Sequence, residues 1–363
     1  MTAGNETIKQ ARTWRIAFLR RRFSPTGGAE RYLLRLASGL AIQGHQLTLY
    51  CEDWSQGENP FQAVRKIESN DPVSFAQKVS TQPLRDRHDI VFSLERVPGC
   101  DLYRAGDGVH ADWLAYRRAF HPVRGRIRTA LRSKNKELCE LEARVFASDG
   151  VRRVICNSRF VAEQIINRFQ FPSDRIDVIY NGVPYQQFST GDRALGRRAL
   201  KLAPDDYVIL LVGAGKERKG HAIARQAIRR LRNPRAKLVI VDSPPSVAMP
   251  HVYAAADVFL LPTLYDPFAN VTLEALAAGL PVITSAQNGA SEIIQNETNG
   301  FVLPRADDDK LLVHLLDHLA DPAFRAAFRQ PAQALAQQYD LAKNITATLA
   351  VFERLNARHT EKI

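Results

Sequence analysis

A strand, a glycine-containing loop, a helix, a glycine and a second strand follow one another between positions 15 and 51. Arg15-Ile-Ala-Phe-Leu19 is an apolar run of strand type. Residues 20–28 include Ser24, Pro25, Gly27 and Gly28, which interrupt regular structure. Positions 29–43 set Leu33, Leu34, Leu36, Ala37 and Leu40 at helical spacing, and Gly44 ends that helix. Gln46-Leu-Thr-Leu-Tyr-Cys51 is the next strand. This is a βαβ unit, which opens a parallel sheet covered by helices.

The same alternation resumes downstream. Strand signals fall at 90–93, 151–157 and 176–180, with a helix predicted over 158–169. The segment 184–191 is turn-rich and reads as a linker or domain edge. A second series starts at Val208-Ile-Leu-Leu-Leu-Val212. It continues with helices near 222–232, 252–256 and 271–278, and strands at 237–241, 258–261 and 281–285. Further helices are predicted over 308–319 and 345–358. Two βα series in 363 residues predict an α/β protein of two Rossmann-like, doubly wound domains facing across a cleft. The expected boundaries are 12–183, 184–344 and a C-terminal helix, 345–363, packing back on the first domain.

Hydrophobic residues are 45% and charged residues 24% of the chain, an ordinary globular balance. No apolar run reaches the roughly 18 residues that cross a bilayer, and the first residues lack a signal-peptide core. A cytoplasmic protein is expected. Cys51, Cys100, Cys139 and Cys156 are scattered and read as free thiols. The net charge of +12 asks for anionic partners.

Three loops between strand and helix suit phosphate. In Pro25-Thr-Gly-Gly-Ala-Glu30, Gly27 and Gly28 let a ligand reach the backbone before a helix N-terminus. A plain tight turn has the same signature. In Val212-Gly-Ala-Gly-Lys-Glu-Arg-Lys-Gly220, Gly213 and Gly215 loosen a loop that carries Arg218 and Lys219, cations suited to a diphosphate. A solvated charged loop is the alternative. In Asp266-Pro-Phe-Ala-Asn-Val-Thr-Leu-Glu274, the amides of Ala269, Asn270 and Val271 open a helix, and Asp266 and Glu274 can accept from sugar or ribose hydroxyls. A helix-surface carboxylate is the other reading of Glu274.

The last motif resembles the carboxylate–seven residues–glutamate signature of the GT-B-fold retaining glycosyltransferases. Gly27-Gly28, Asn157-Ser158, Asn181-Gly182-Val183, Arg218-Lys219-Gly220, Tyr253-Ala-Ala-Ala-Asp257 and Gly289-Ala-Ser-Glu292 are similar to that family's other landmarks, and in its order. Tyr103-Arg-Ala-Gly-Asp107-Gly-Val-His110 adds a likeness to its lipopolysaccharide-core glucosyltransferases. The resemblance implies transfer of a hexose from a UDP-sugar to a lipopolysaccharide-core or other membrane-linked glycan, with retention and without metal or cofactor. It gives Asp266 to the transferred sugar and Glu274 to the ribose. Arg218, Lys219, Gly213, Gly27, Gly28, Ala269, Asn270 and Val271 fall to the donor. Asp107 and His110 face the sugar or acceptor hydroxyl; a capping carboxylate and a surface histidine are the plain alternative.

The chain departs from the family in two places. Asp266 stands where glutamate is usual. The stretch 242–251 is short by roughly twenty residues, about one βα unit, which usually helps form the nucleobase pocket. A catalytically impaired membrane-surface module of the same fold, or a transferase for a different nucleotide-sugar, is the alternative reading.

Residues 113–136 interleave Arg117, Arg118, Arg124, Arg126, Arg128, Arg132, Lys134 and Lys136 with Trp113, Tyr116, Phe120, Ile127 and Leu131. This is the pattern of a basic amphipathic segment on an anionic membrane, at the inner face of the cytoplasmic membrane by resemblance. A solvated helix face shares it, and no nucleic-acid-binding motif accompanies it. Arg20, Arg21 and Arg22 face the cleft by position and are candidates for acceptor phosphates. Asp307-Asp308-Asp309 reads as a helix cap rather than a metal motif. His314 and His318 lack an evident third ligand.

Overall fold

The computed structural model describes residues 12–22, 28–54, 59–120 and 132–360. The first sheet is built from β1 (Arg15–Leu19), β2 (Gln46–Cys51), β3 (Ala63–Lys66), β4 (Ile90–Ser93), β5 (Cys100–Arg104), β6 (Val151–Cys156) and β7 (Ile176–Val178), in the spatial order β3-β2-β1-β4-β5-β6-β7. The second comprises β8 (Tyr207–Val212), β9 (Ala236–Val241), β10 (Val258–Leu261), β11 (Val282–Ser285) and β12 (Gly300–Leu303), in the order β12-β11-β10-β8-β9. Every pairing within both sheets is parallel. Central strands of such sheets are covered on both faces, so β4, β8 and β10 are buried at every position.

The helices that position the cleft are α1 (Gly28–Ile42), α2 (His110–Phe120), α3 (Arg132–Val145), α4 (Arg159–Phe169), α5 (Tyr185–Ser189), α6 (His221–Ile228), α7 (Met249–Ala255), α8 (Asn270–Ala277) and α9 (Leu341–Thr360). In α1, Tyr32, Leu33, Leu36, Ala37 and Leu40 form the buried stripe. Ser158 caps α4 by accepting from the Val161 amide at 3.2 Å. The α9 helix packs on the first domain. Its Phe352 meets Trp14 edge-on, with ring centroids 6.2 Å apart, and Phe92 at 5.9 Å.

In each sheet the strand order reverses direction once, between β1 and β4 and between β8 and β10. A doubly wound sheet opens a crevice at the carboxyl ends of its strands at such a point. The two crevices face each other.

Two stretches singled out in the sequence take defined forms here. The segment 184–191 is not a plain linker. It forms α5, whose buried Phe188 meets Tyr253 with ring centroids 5.6 Å apart. The short stretch after position 241 is a direct connection: β9 ends at Val241, α7 begins at Met249, and β9 is the sheet's edge.

Candidate active site

The cleft between the domains measures about 720 Å³. The C-terminal ends of β8 and β10 supply one wall. Gly213, directly after β8, has φ +140°, and the aliphatic stem of Lys219 lies where a Cβ would stand, 3.0 Å away. That close approach lets Lys219 fold back under the loop. Its ammonium donates to Asp266 Oδ2 at 2.7 Å, and Arg218 donates to the same oxygen at 2.6 Å. Burial pushes the Asp266 carboxyl up, but Lys219 and Arg218 together hold it below the ordinary aspartate value. Burial likewise lowers Lys219 against the pull of Asp266. Two cations on one carboxylate leave this wall net positive.

The start of α8 is adjacent. The Ala269 amide, expected to be open to phosphate, donates instead to Asn288 Oδ1 at 3.1 Å. Asn288 is fully buried, and this bond satisfies its carbonyl oxygen. Asn270 and Val271, in the first turn, have no intrahelical acceptor for their amides and line the cleft. The Asn270 side chain reaches across the cleft to the Gly28 carbonyl at 3.4 Å and accepts from Asn181.

The opposite wall holds Gly28, Asp107 and His110. Gly27 lies outside the described residues. Asp107 sits at the rim, with its side chain 45% exposed, 3.4 Å from Arg20. Desolvation raises its carboxyl, but Arg20 and Arg96 outweigh that and hold it below the ordinary value. His110 opens α2, and its Nε2 meets Asn135 Oδ1 at 3.1 Å. Burial depresses its imidazole, so it is neutral at pH 7. Glu142 already accepts from the His110 and Ala111 amides at 2.9 and 3.3 Å, so the α2 N-terminus is satisfied.

Glu274 lies elsewhere. It does not line the cleft and is 1% exposed. Tyr253 donates to it at 2.9 Å, and Arg35 and Arg31 of α1 stand 3.5 and 3.9 Å from its Oε1. The expected ribose carboxylate is thus committed to α7 and, across the domain boundary, to α1.

Arg20, Arg21 and Arg22 do not offer free charge to the cleft. Arg20 pairs with Glu30, Glu95 and Asp107, and Arg21 and Arg22 pair with Glu52. Among the described residues, the cleft-facing arginines of the first domain are Arg31 and Arg104, which pattern reading missed. Arg31 follows Gly28 on the first turn of α1, and Arg104 ends a strand buried at every position. The polar residue closing a buried strand was the available signal for Arg104.

Trp113 and Tyr116, read as membrane-facing, pack on Tyr265 with centroids 6.1 and 5.6 Å away. Arg117 pairs with Glu217 of the second domain at 3.0 Å. Arg124, Arg126 and Arg128 lie outside the described residues. No helix among the described residues is long and apolar enough to cross a membrane. Asp308 caps its helix by accepting from Leu311 at 3.1 Å, while Asp307 and Asp309 pair with Arg305 and Arg230. His318 packs on Phe324, 3.9 Å between centroids. The described residues hold no cluster of three or more metal-ligating side chains. All four cysteines are free.

Two facing Rossmann-like domains, with a cationic strand–helix loop and two helix N-termini at the cleft, define a protein of the GT-B type. The profile described as Glycosyltransferase Family 4 matches residues 26–187, and that of the Glycosyl transferases group 1 matches residues 201–321. Two glycosyltransferase family models thus match successive parts of the chain, one in each domain, and the fold is of the GT-B type.

An uncharacterized glycosyltransferase of Methanocaldococcus jannaschii is 32% identical over 43% of this chain and 48% of its own length. A D-inositol 3-phosphate glycosyltransferase of Salinispora tropica is 27% identical over 69% of this chain and 63% of its own. The chain thus spans about half of the first relative and under two thirds of the second. The lipopolysaccharide glucosyltransferase WaaG of Escherichia coli is 23% identical over 90% of this chain and 95% of that one. The crystal structure of WaaG, a glycosyltransferase involved in lipopolysaccharide biosynthesis, superposes with a TM-score of 0.77 at 20% identity, covering 93% and 99% of the two chains. Anabaena HepE in complex with UDP-glucose gives 0.71 at 19% identity, covering 93% and 100%.

Proposed function

We propose that this chain transfers a hexose, glucose in the first instance, from a UDP-sugar to a lipopolysaccharide-core or other membrane-linked glycan, with retention of configuration and without a metal. The observation that carries the reading is Asp266, held in the cleft by Arg218 and Lys219 beside the open first turn of α8. A diphosphate entering there meets two cations and the amides of Asn270 and Val271. Both cation contacts fall on Asp266 Oδ2, and in this reading Oδ1 accepts from a hydroxyl of the transferred sugar.

Departure of the diphosphate builds negative charge that Arg218, Lys219 and the helix N-terminus stabilise. Transfer on the front face lets the leaving phosphate oxygen take the acceptor's proton. Asp107 and neutral His110, on the opposite wall, orient the sugar and the incoming hydroxyl. The UDP-glucose complex of HepE and the named activity of the E. coli relative support donor and acceptor class. In this reading the basic side chains of 118–136, beyond the residues that pack on the second domain, bring the cleft to an anionic membrane at the inner face of the cytoplasmic membrane.

The test is UDP release from several UDP-sugars, with and without a truncated lipopolysaccharide core. Release that depends on acceptor, and collapses in Asp266→Ala, is expected. A protein that neither binds UDP nor releases it overturns the reading.

A second reading rests on the direct β9–α7 connection and on Glu274 being buried away from the cleft. It is a GT-B-fold binding module, or a transferase for another nucleotide. Equal background release by wild type, Asp266→Ala and Glu274→Ala favours the module. Competition among UDP, GDP and ADP separates the nucleotides.

A further inference from the structure

Among the described residues, four cationic side chains belong to residues less than a tenth exposed: Arg104, Arg153, Arg197 and Lys219. Three of them face carboxylates: Arg153 meets Asp177 at 2.9 Å, Arg197 meets Asp257 at 3.0 Å and Lys219 meets Asp266 at 2.7 Å. Arg104 is the exception, and forms no ion pair among the described residues. Its guanidinium donates to Asn181 Oδ1 and lies over the Tyr32 ring, 3.5 Å from the centroid, while Nε has no partner. Arg104 is 3% exposed. A buried charge with no carboxylate in contact is costly, because neither an amide oxygen nor a ring face replaces the lost hydration, and Asp107 acts on Arg104 only from beyond ion-pair distance.

The surroundings of Arg104 are those of a binding wall. It lines the cleft with Arg31, Asn157 and Asn181. Arg31 Nε is also buried without a partner, and its guanidinium stands 3.9 Å from Glu274. Asn157 is 1% exposed; its Nδ2 donates to the Gly106 carbonyl at 3.3 Å, and its Oδ1 is unmatched. An unpaired guanidinium and a second one nearby call for an anion. An unmatched amide oxygen beside them calls for a hydroxyl donor. A phosphate ester of a polyol presents both.

We propose that Arg104 and Arg31 form a phosphate subsite on the first-domain wall of the cleft, with Asn157 receiving a neighbouring hydroxyl. The phosphate belongs either to the acceptor, which is then a phosphorylated sugar or polyol, or to the donor diphosphate. The assignment deepens the transferase reading and rests on it for the meaning of donor and acceptor; the anion site itself does not.

The test is calorimetric titration of the full chain with inorganic phosphate, alone and with UDP at saturation, on wild type and Arg104→Gln. Wild type is expected to bind phosphate, with affinity falling about tenfold or more in Arg104→Gln. Binding that persists with UDP bound, and UDP affinity unchanged by the substitution, assigns the subsite to the acceptor. Phosphate displaced by UDP, with Arg104→Gln weakening UDP by a similar factor, assigns it to the donor. Unchanged affinity of Arg104→Gln for both ligands overturns the subsite. Thermal melting gives a second readout. Arg104→Gln should melt no lower than wild type in phosphate-free buffer and should lose the upward shift that phosphate produces. A variant that melts several degrees lower yet keeps that shift overturns the proposal. Should Arg104→Gln not fold, Arg31→Gln, at a partly exposed position, is read in the same titration. Phosphate binding without UDP binding leaves the subsite standing and removes the donor reading.

Discussion

Lys219 and Asp266 meet at 2.7 Å, and both are almost wholly shielded from solvent. Because Arg218 shares the same carboxylate oxygen, Asp266 restrains two cations that a diphosphate would otherwise engage. Replacing Asp266 by Asn keeps the shape and removes the restraint. UDP should bind Asp266→Asn at least as tightly as wild type and raise its melting temperature more. Sugar transfer should fall about a hundredfold, because the carboxylate proposed to meet the sugar has lost its charge. Steady-state kinetics with UDP calorimetry separate the two effects. Lost UDP binding with unchanged kcat would make Asp266 only a loop brace.

Glu274 links the domains through Arg35 and Arg31 of α1. Glu274→Gln leaves both guanidinium groups without that charge in a buried setting. The arginine side chains are 21% and 33% exposed, so solvent screens part of the loss. A cost of about 1–3 kcal/mol in chemical unfolding is expected. A double-mutant cycle with Arg35→Met should recover part of it. Strict additivity would show that the bridge contributes nothing.

Gly108 has φ +70°, and a Cβ there would stand 2.2 Å from the Tyr265 hydroxyl. That hydroxyl accepts from the Val109 amide and donates to Gln164, both at 2.9 Å, joining the second domain to α2 and α4. Gly108→Ala should cost about 1–3 kcal/mol through backbone strain and this clash. Combined with Tyr265→Gly, which removes the obstructing ring, it should cost less than the sum of the single changes. Equal melting of wild type and Gly108→Ala would show that the loop relaxes freely.

Much of the fold is legible in the sequence where strands are buried on both sides, as with β1, β8 and β10, because an apolar run needs no partner to be recognised. Short edge strands are not. In β3, Ala63–Lys66, three of four residues are exposed. In β5 the polar Asp101 hides the pattern, since its burial is compensated by Arg85, Arg152 and the Val91 amide. The candidate site divides in the same way. Gly213, Arg218, Lys219 and Asp266 sit in loops just beyond strand ends, where local reading places them. Arg31 and Arg104 gain meaning only when two domains close over them. The Ala269 amide is lost to Asn288, nineteen positions away, a contact no local pattern encodes.

Acid stability should follow the histidines. His45 is 5% and His221 1% exposed, and burial depresses both imidazoles. His88 and His110 are depressed by burial too. In the unfolded chain these groups take up protons near pH 6.5. In the folded chain they resist until lower pH, so the unfolded state binds more protons over the interval between. Stability is therefore intact above about pH 7 and lost progressively as pH falls through 6.5 toward the folded values. The structure explains the resistance at His45: its Nδ1 accepts from the Trp14 amide at 3.2 Å, and protonation would set two donors against each other. Asn at position 45 can offer an oxygen to the same amide and does not titrate. The melting temperature of wild type should drop between pH 7 and 5, and His45→Asn should flatten that slope. A wild-type curve level across the interval, or a slope unchanged in His45→Asn, would show that His45 is protonated equally in both states.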